Sequence, residues 1–210
     1  MKVTEIFHSL QGEAQFVGMP TVFVRLTGCP LRCHYCDTAY AFHGGEWWSL
    51  PDIVERVAQF NTHDVCVTGG EPLAQRACLP LMHALCERGF RVSLETSGAL
   101  DIEGIDSRVS RVVDVKTPGS GEEARNLYPQ LQTLTPIDQI KFVITSRADY
   151  DWSRELLVAQ ALHERCNVLF SPSFGQVEPR QLAEWILADR LPVRFQMQLH
   201  KILWGEERGR

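Results

Sequence analysis

No fourth cysteine accompanies the three that crowd positions 29 to 36, and that shortage is the first constraint on this chain. The seven cysteines in all, an odd number without paired spacing, lay out no disulfide framework and fit a reducing compartment. Also absent is any run of Lys and Arg. With a net charge of -5, the chain offers no basic stripe for holding nucleic acid by its phosphates, so any link to RNA is metabolic. No apolar run approaches the roughly 18 residues that a membrane span requires. The opening MKVTEIFHSL shows no basic start followed by a sustained apolar stretch, so a cytoplasmic protein is expected. Internal repeats, linkers and low-complexity tracts are missing too. A single domain over residues 1–210 is expected, and the charged tail 206–210 reads as a solvated end. At 44% hydrophobic and 22% charged residues, the composition excludes a disordered or fibrous chain.

What is present is a series of short β-branched runs at residues 21–26, 64–67, 91–94, 111–115, 140–145, 168–170 and 193–199. Several are continuously apolar rather than alternating, as in strands buried on both faces of a mostly parallel sheet. Apolar spacings of three and four predict helices over 50–60, 79–87, 153–165 and 178–188, with Pro51 and Pro179 where helix starts tolerate proline. Strands alternating with helices predict an α/β fold with right-handed crossovers. Residues 101–110 and 117–137 read poorly as helices, so some crossovers are abbreviated and the barrel is incomplete. The polar motifs gather at the carboxyl ends of the strands, where such folds keep their chemistry.

In LTGCPLRCHYCDT, the loop 28–38, Cys29, Cys33 and Cys36 stand in a CxxxCxxC spacing, with Gly28 and Pro30 supplying the turn. Three thiolates can hold three corners of a 4Fe-4S cube and leave the last iron open to a ligand that is not protein. The next cysteine, Cys66, lies inside the apolar run DVCVTGG, and Cys66, Cys78, Cys86 and Cys166 read as small buried hydrophobes. Tyr35 places an aromatic face beside the cluster, suited to stacking on a purine. Thr68-Gly69-Gly70-Glu71-Pro72 follows a strand, so backbone, carbonyls and carboxylate can approach an ammonium group closely. This combination resembles the radical S-adenosylmethionine (SAM) enzymes. The resemblance implies an abbreviated (β/α)6 TIM-like barrel and a SAM whose amino and carboxylate groups chelate the open iron. An electron from the cluster then splits that SAM to a 5′-deoxyadenosyl radical. A structural zinc site completed by His34 or His43 is the rival reading of the same loop.

The segment EIFHSLQGEAQFVGMPTVFVRLTGCPLRCHYCDTAY, with TGGEP, ETSG and a late LHK, is similar to the 7-carboxy-7-deazaguanine synthase family. The similarity implies a carbon–nitrogen lyase that contracts a ring of 6-carboxy-5,6,7,8-tetrahydropterin with loss of ammonia, on the route to queuosine. It implies a 4Fe-4S cluster, SAM and magnesium, a flavodoxin or ferredoxin as electron donor, and a homodimer. Leu10, Gln11, Gly12, Arg25, Thr68, Glu95 and His200 would then bind the pterin, Arg25 by a forked grip on its carboxylate. Tyr35, Cys36, Asp37, Gly70, Asp114, Val115, Lys116 and Ser171 would hold SAM, and Thr38 would ligate magnesium. Two departures stand out: Asp114-Val115-Lys116 occupies a place where the family has SPK, and Ser171-Pro172 one where a Gln-Pro start is usual. A glycyl-radical activating enzyme shares the cysteine spacing but lacks a use for SLQGE and Arg25, and a non-catalytic zinc or iron-sulfur module would yield no deoxyadenosine from SAM.

Overall fold

In the computed structural model, which describes residues 1–209, one sheet runs through the chain. Strand β1 (Lys2–Leu10) pairs antiparallel with β2 (Pro20–Leu26) on one side and with the two-residue β3 (Glu46–Trp47) on the other. From β2 the sheet continues in parallel through β4 (Asp64–Gly69), β5 (Arg91–Thr96), β6 (Ser110–Asp114), β7 (Gln139–Ile144), β8 (Asn167–Pro172) and the short β9 (Arg194–Phe195). β3 and β9 do not meet, so the barrel stays open, as the abbreviated crossovers require. Helices α1 (Leu50–Ala58), α2 (Cys78–Glu87), α3 (Arg147–Ala159) and α4 (Pro179–Asp189) cover one face, and α5 (Leu199–Trp204) follows β9. No helix crosses between β5 and β6, and only 3-10 turns connect β6 to β7.

Side chains alternate across a strand, and the sequence uses that alternation sharply. Val22, Val24, Val65, Val67 and Val92 pack with Ile53, Val57, Leu81 and Leu85 of α1 and α2. Val113, Ile140, Phe142, Val168 and Phe170 do the same with Tyr150 and Leu157 of α3 and Leu182 of α4. Each such aliphatic side chain contributes about 1.5–3 kcal/mol by leaving water. Their neighbours along the strands, among them Arg25, Thr68, Glu95, Asp114 and Lys141, face the opposite, concave side and line a cavity.

Three of the stretches read from the sequence fold differently. Helix α3 begins at residue 147 rather than 153, because the Ser146 hydroxyl accepts the Asp149 N–H as a cap. It ends at 159, where Ala161 adopts a left-handed φ of 48°. The run 193–199 is not a full strand: after Phe195 the Gln196 side chain binds both the N–H and the C=O of Ala14, at 2.8 and 3.1 Å, and draws the chain out of the sheet. The tail is exposed, yet residues 205–209 line the mouth of the cavity, and the Arg208 guanidinium lies 4.2 Å from the Tyr40 ring centre. Arg210 lies outside the described residues.

Candidate active site

The cavity, about 650 Å³, opens at the carboxyl ends of β2 and β4–β7. Cys29, Cys33 and Cys36 all line it from the loop after β2, and all three are partly exposed free thiols. Gly28 turns that loop at φ 99° and its carbonyl accepts the Glu71 N–H at 2.8 Å, tying the cysteine loop to the TGGEP turn. A Cβ on Gly70 would collide with the Gly28 carbonyl and stand 2.7 Å from the Cys29 Cβ, so only glycine permits this packing. On the far side the loop is strapped to residues 120–122 by His34 N–H to the Ser120 carbonyl and Arg32 N–H to Glu122. Burial pushes the Cys33 thiol up to about 11 and raises Cys29, so thiolates here call for strong positive charge nearby, which an iron cluster supplies. Among the described residues no three His, Cys, Asp or Glu side chains gather around one point as a single ion would require. The soft three-thiol donor set fits a polynuclear cluster. Cys66 and Cys78 are completely buried, and Cys86 and Cys166 nearly so.

Glu71 departs from its expected use. Its carboxylate is wholly buried and accepts from Leu73 N, Thr96 Oγ1, Ser97 N and Ser97 Oγ at 2.6–3.0 Å. It therefore fastens the ETSG turn after β5 and does not line the cavity, whereas Gly69 and Gly70 do. Tyr35, Cys36, Asp37, Asp114 and Lys116 also line it. The Lys116 ammonium stands 3.1 Å from Asp114 and 5.8 Å from the Tyr35 ring centre, and Asn126 holds both the N–H and the C=O of Lys116. Val115 and Ser171 do not line the cavity. The Val115 side chain is sunk in the core under the helices, and Ser171 is buried on β8, while Ser173 and Phe174 beyond it reach the rim.

Leu10, Gln11, Gly12, Arg25, Thr68, Glu95 and His200 all meet at this cavity. Arg25 is fixed by Glu5 of β1 at 2.7 Å, and the Tyr40 hydroxyl donates to the same carboxylate oxygen at 2.8 Å. Gln11 and Glu13 are buried. The Gly12 carbonyl accepts the Leu199 N–H at 2.9 Å, docking α5 and bringing His200 against Gly12. Burial pushes the His200 imidazole below its ordinary value although Glu13 and Asp37 pull the other way. The Thr38 hydroxyl donates to Asp37 at 2.8 Å on the rim, leaving its oxygen lone pairs for a cation. Burial raises the Glu95 carboxyl, with Lys141 opposing. Lys141 and Glu13 are among the site residues that sequence reasoning left unassigned. The signal for Lys141 was a single lysine amid the apolar strand QIKFVI.

The family model described as "Radical SAM superfamily" matches residues 23–157. The chain is 44% identical to a 7-carboxy-7-deazaguanine synthase of Chlorobaculum tepidum, across 99% of this chain and 96% of that one. It is 41% identical to one of Koribacter versatilis, across 99% and 98%. Among solved structures, QueE from Escherichia coli superposes with a TM-score of 0.78 at 26% identity, covering 95% of this chain and 94% of that one. SuiB of Streptococcus suis, at 15% identity and a TM-score of 0.62 over 83% of this chain and 47% of that one, shares the fold.

Proposed function

The chain belongs to the radical SAM superfamily and, within it, to the 7-carboxy-7-deazaguanine synthases, and from that membership we propose how its own residues divide the reaction. The protein is a lyase that turns 6-carboxy-5,6,7,8-tetrahydropterin into 7-carboxy-7-deazaguanine and ammonia, using a 4Fe-4S cluster and SAM. When bound, these two groups supply the carbon-centred radical that takes the hydrogen at carbon six of the pterin. Cys29, Cys33 and Cys36 would hold the cluster. Tyr35, Cys36, Asp37, Gly70, Asp114 and Lys116 would line the SAM side, with Val115 and Ser171 contributing only backbone. Arg25, locked by Glu5, would grip the substrate carboxylate, and Thr38 would lend its oxygen to a magnesium ion on the same carboxylate. Leu10, Gln11, Gly12, Thr68, Glu95 and His200 would orient the base and exclude water. The protein's share is positioning, because the bound groups carry the difficult step.

The observation that supports this division is that three thiols, an anchored arginine and a buried carboxylate line a single cavity. We further read the chain as a single cytoplasmic domain that pairs as a homodimer and takes electrons from a flavodoxin or ferredoxin. Among the described residues no helix is long and apolar enough to cross a membrane. Anaerobic incubation of reconstituted protein with dithionite, SAM and 6-carboxytetrahydropterin should give deazaguanine product and ammonia in equal amounts, with SAM regenerated. Deoxyadenosine accumulating in proportion to SAM consumed, with no deazaguanine, would count against it.

A further inference from the structure

Lys141 has no part in that division, yet it is the most heavily engaged cation in the cavity. It projects from β7 with its side chain about nine-tenths buried, its ammonium 2.6 Å from a Glu13 oxygen and 3.5 Å from Asp114. Glu13 comes from the turn after β1 and gives its other oxygen to the Gln198 amide at 2.8 Å. Glu95, from β5, lines the same cavity. Three carboxylates from three separate elements thus share one interior with few cations to oppose them. Lys116 is paired with Asp114, and Arg25 with Glu5, although Arg25 also attracts Glu95.

We infer that Lys141 is a positioning residue of the pterin pocket: its ammonium, 2.6 Å from Glu13, holds that carboxylate charged and in place, so that it offers acceptor oxygens to the N–H edge of a 2-amino-4-oxo heterocycle. The inference rests on the cavity being a pterin site. An ionised carboxylate is acceptor-only, whereas a protonated one presents an O–H donor, which opposes the amino and ring N–H donors of such a base. Burial works to protonate Glu13 and its cavity neighbour Glu95, and Lys141 is the strongest influence in the other direction on each. Glu13 ends below its ordinary value, while Glu95, repelled by Glu13 and Asp114 and drawn the other way by Arg25 as well, ends above. The other titratable or charged groups facing Lys141 are Lys116, Tyr35, Asp37 and His200.

The test uses the intrinsic fluorescence of 6-carboxypterin, titrated onto protein without SAM or reductant, between pH 5.0 and 6.8, far enough below the ionisation of the pterin lactam for the ring to stay neutral. Wild-type protein should bind it with a dissociation constant that changes by less than about threefold over that range. In Lys141→Met, binding should weaken by up to about tenfold for each pH unit below the displaced carboxyl pKa. Lys141→Arg, which keeps the charge, should restore the flat profile even if its absolute affinity is lower. The double variant Lys141→Met/His200→Gln should keep the slope. A slope that vanished there would belong to the imidazole and overturn the inference. So would a flat Lys141→Met profile, or an arginine variant that slopes like the methionine one. If wild-type protein binds no 6-carboxypterin at all, the pterin reading itself fails and carries the inference with it.

Discussion

Glu71 illustrates how one residue can be conspicuous in sequence for a role its side chain does not fill. The carboxylate faces four donor groups: Leu73 N–H caps its own turn, and the three from Thr96 and Ser97 hold the turn that carries Glu95. Glu71→Gln exchanges an acceptor oxygen for an NH2 group, so a donor would point at donors inside a wholly buried site. A cost of about 2–3 kcal/mol follows, seen as a lower urea midpoint with an unchanged slope. A midpoint equal to wild type would mean that the turn is held by its backbone alone. Arg25 is a different case, because in the proposed division its guanidinium serves Glu5 with one edge, as the structure shows, and the substrate carboxylate with the other. A lysine has a point charge and no fork. Arg25→Lys should raise KM for the pterin by about tenfold or more while SAM cleavage without substrate continues at the wild-type rate. Equal losses in both would make Arg25 a structural residue.

Elements whose side chains are apolar on both sides of a motif were legible, and those set by long-range polar contacts were not. Residues 21–26, 64–67 and 140–144 read as buried strands and are so, with Thr145 just beyond the end of β7, because continuous Val, Phe and Ile runs have few other uses. Strand β1 went unread: KVTEIFHSL mixes His8, Glu5 and Thr4 into its run, and its pairing with β2 rests on a partner across a long turn. The thiol loop and the glycine turn were legible from spacing, whereas Lys141 was not, since nothing local to QIKFVI shows that Glu13 lies opposite. The docking of α5 belongs to the same class of hidden contact. Its N-terminus hangs on the Gly12 carbonyl, and a Cβ at Gly12 would overlap the His200 ring. Gly12→Ala should therefore push His200 out of the cavity and raise KM for the pterin, leaving deoxyadenosine formation in its absence unchanged. If both fall together, the turn after β1 supports the cluster loop as well as the substrate.

Across the whole molecule the sheet separates two environments, an apolar layer under the helices and a polar concave face where charge is neutralised in pairs. That division fixes how stability responds to acid. Asp138, at the amino end of β7, is fully buried. Burial acts to raise its carboxyl, but hydrogen bonds from Arg111 and Thr135 outweigh this and hold it below the ordinary range. Glu13 is depressed for the same kind of reason by Lys141. A carboxyl with a lowered folded pKa contributes stability that is fully present above its unfolded value and is lost as pH falls through the folded one. Glu95, shifted upward, has the opposite sign and is less costly to bury once protonated, so it offsets part of the loss. Asp37, Asp106 and Asp189 are lowered as well, so the carboxyls held low outnumber the one raised, and the urea midpoint of the cluster-free protein should be level above about pH 5.5 and decline below about pH 4.5. Asp138→Asn removes one of the declining contributions and leaves Arg111, whose side chain is 15% exposed, without its ionised partner. That variant should be less stable than wild type at pH 7 and should lose less on acidification, so that the two curves converge toward pH 3. Parallel curves would show that Asp138 holds the base of β6 and β7 by shape rather than by charge.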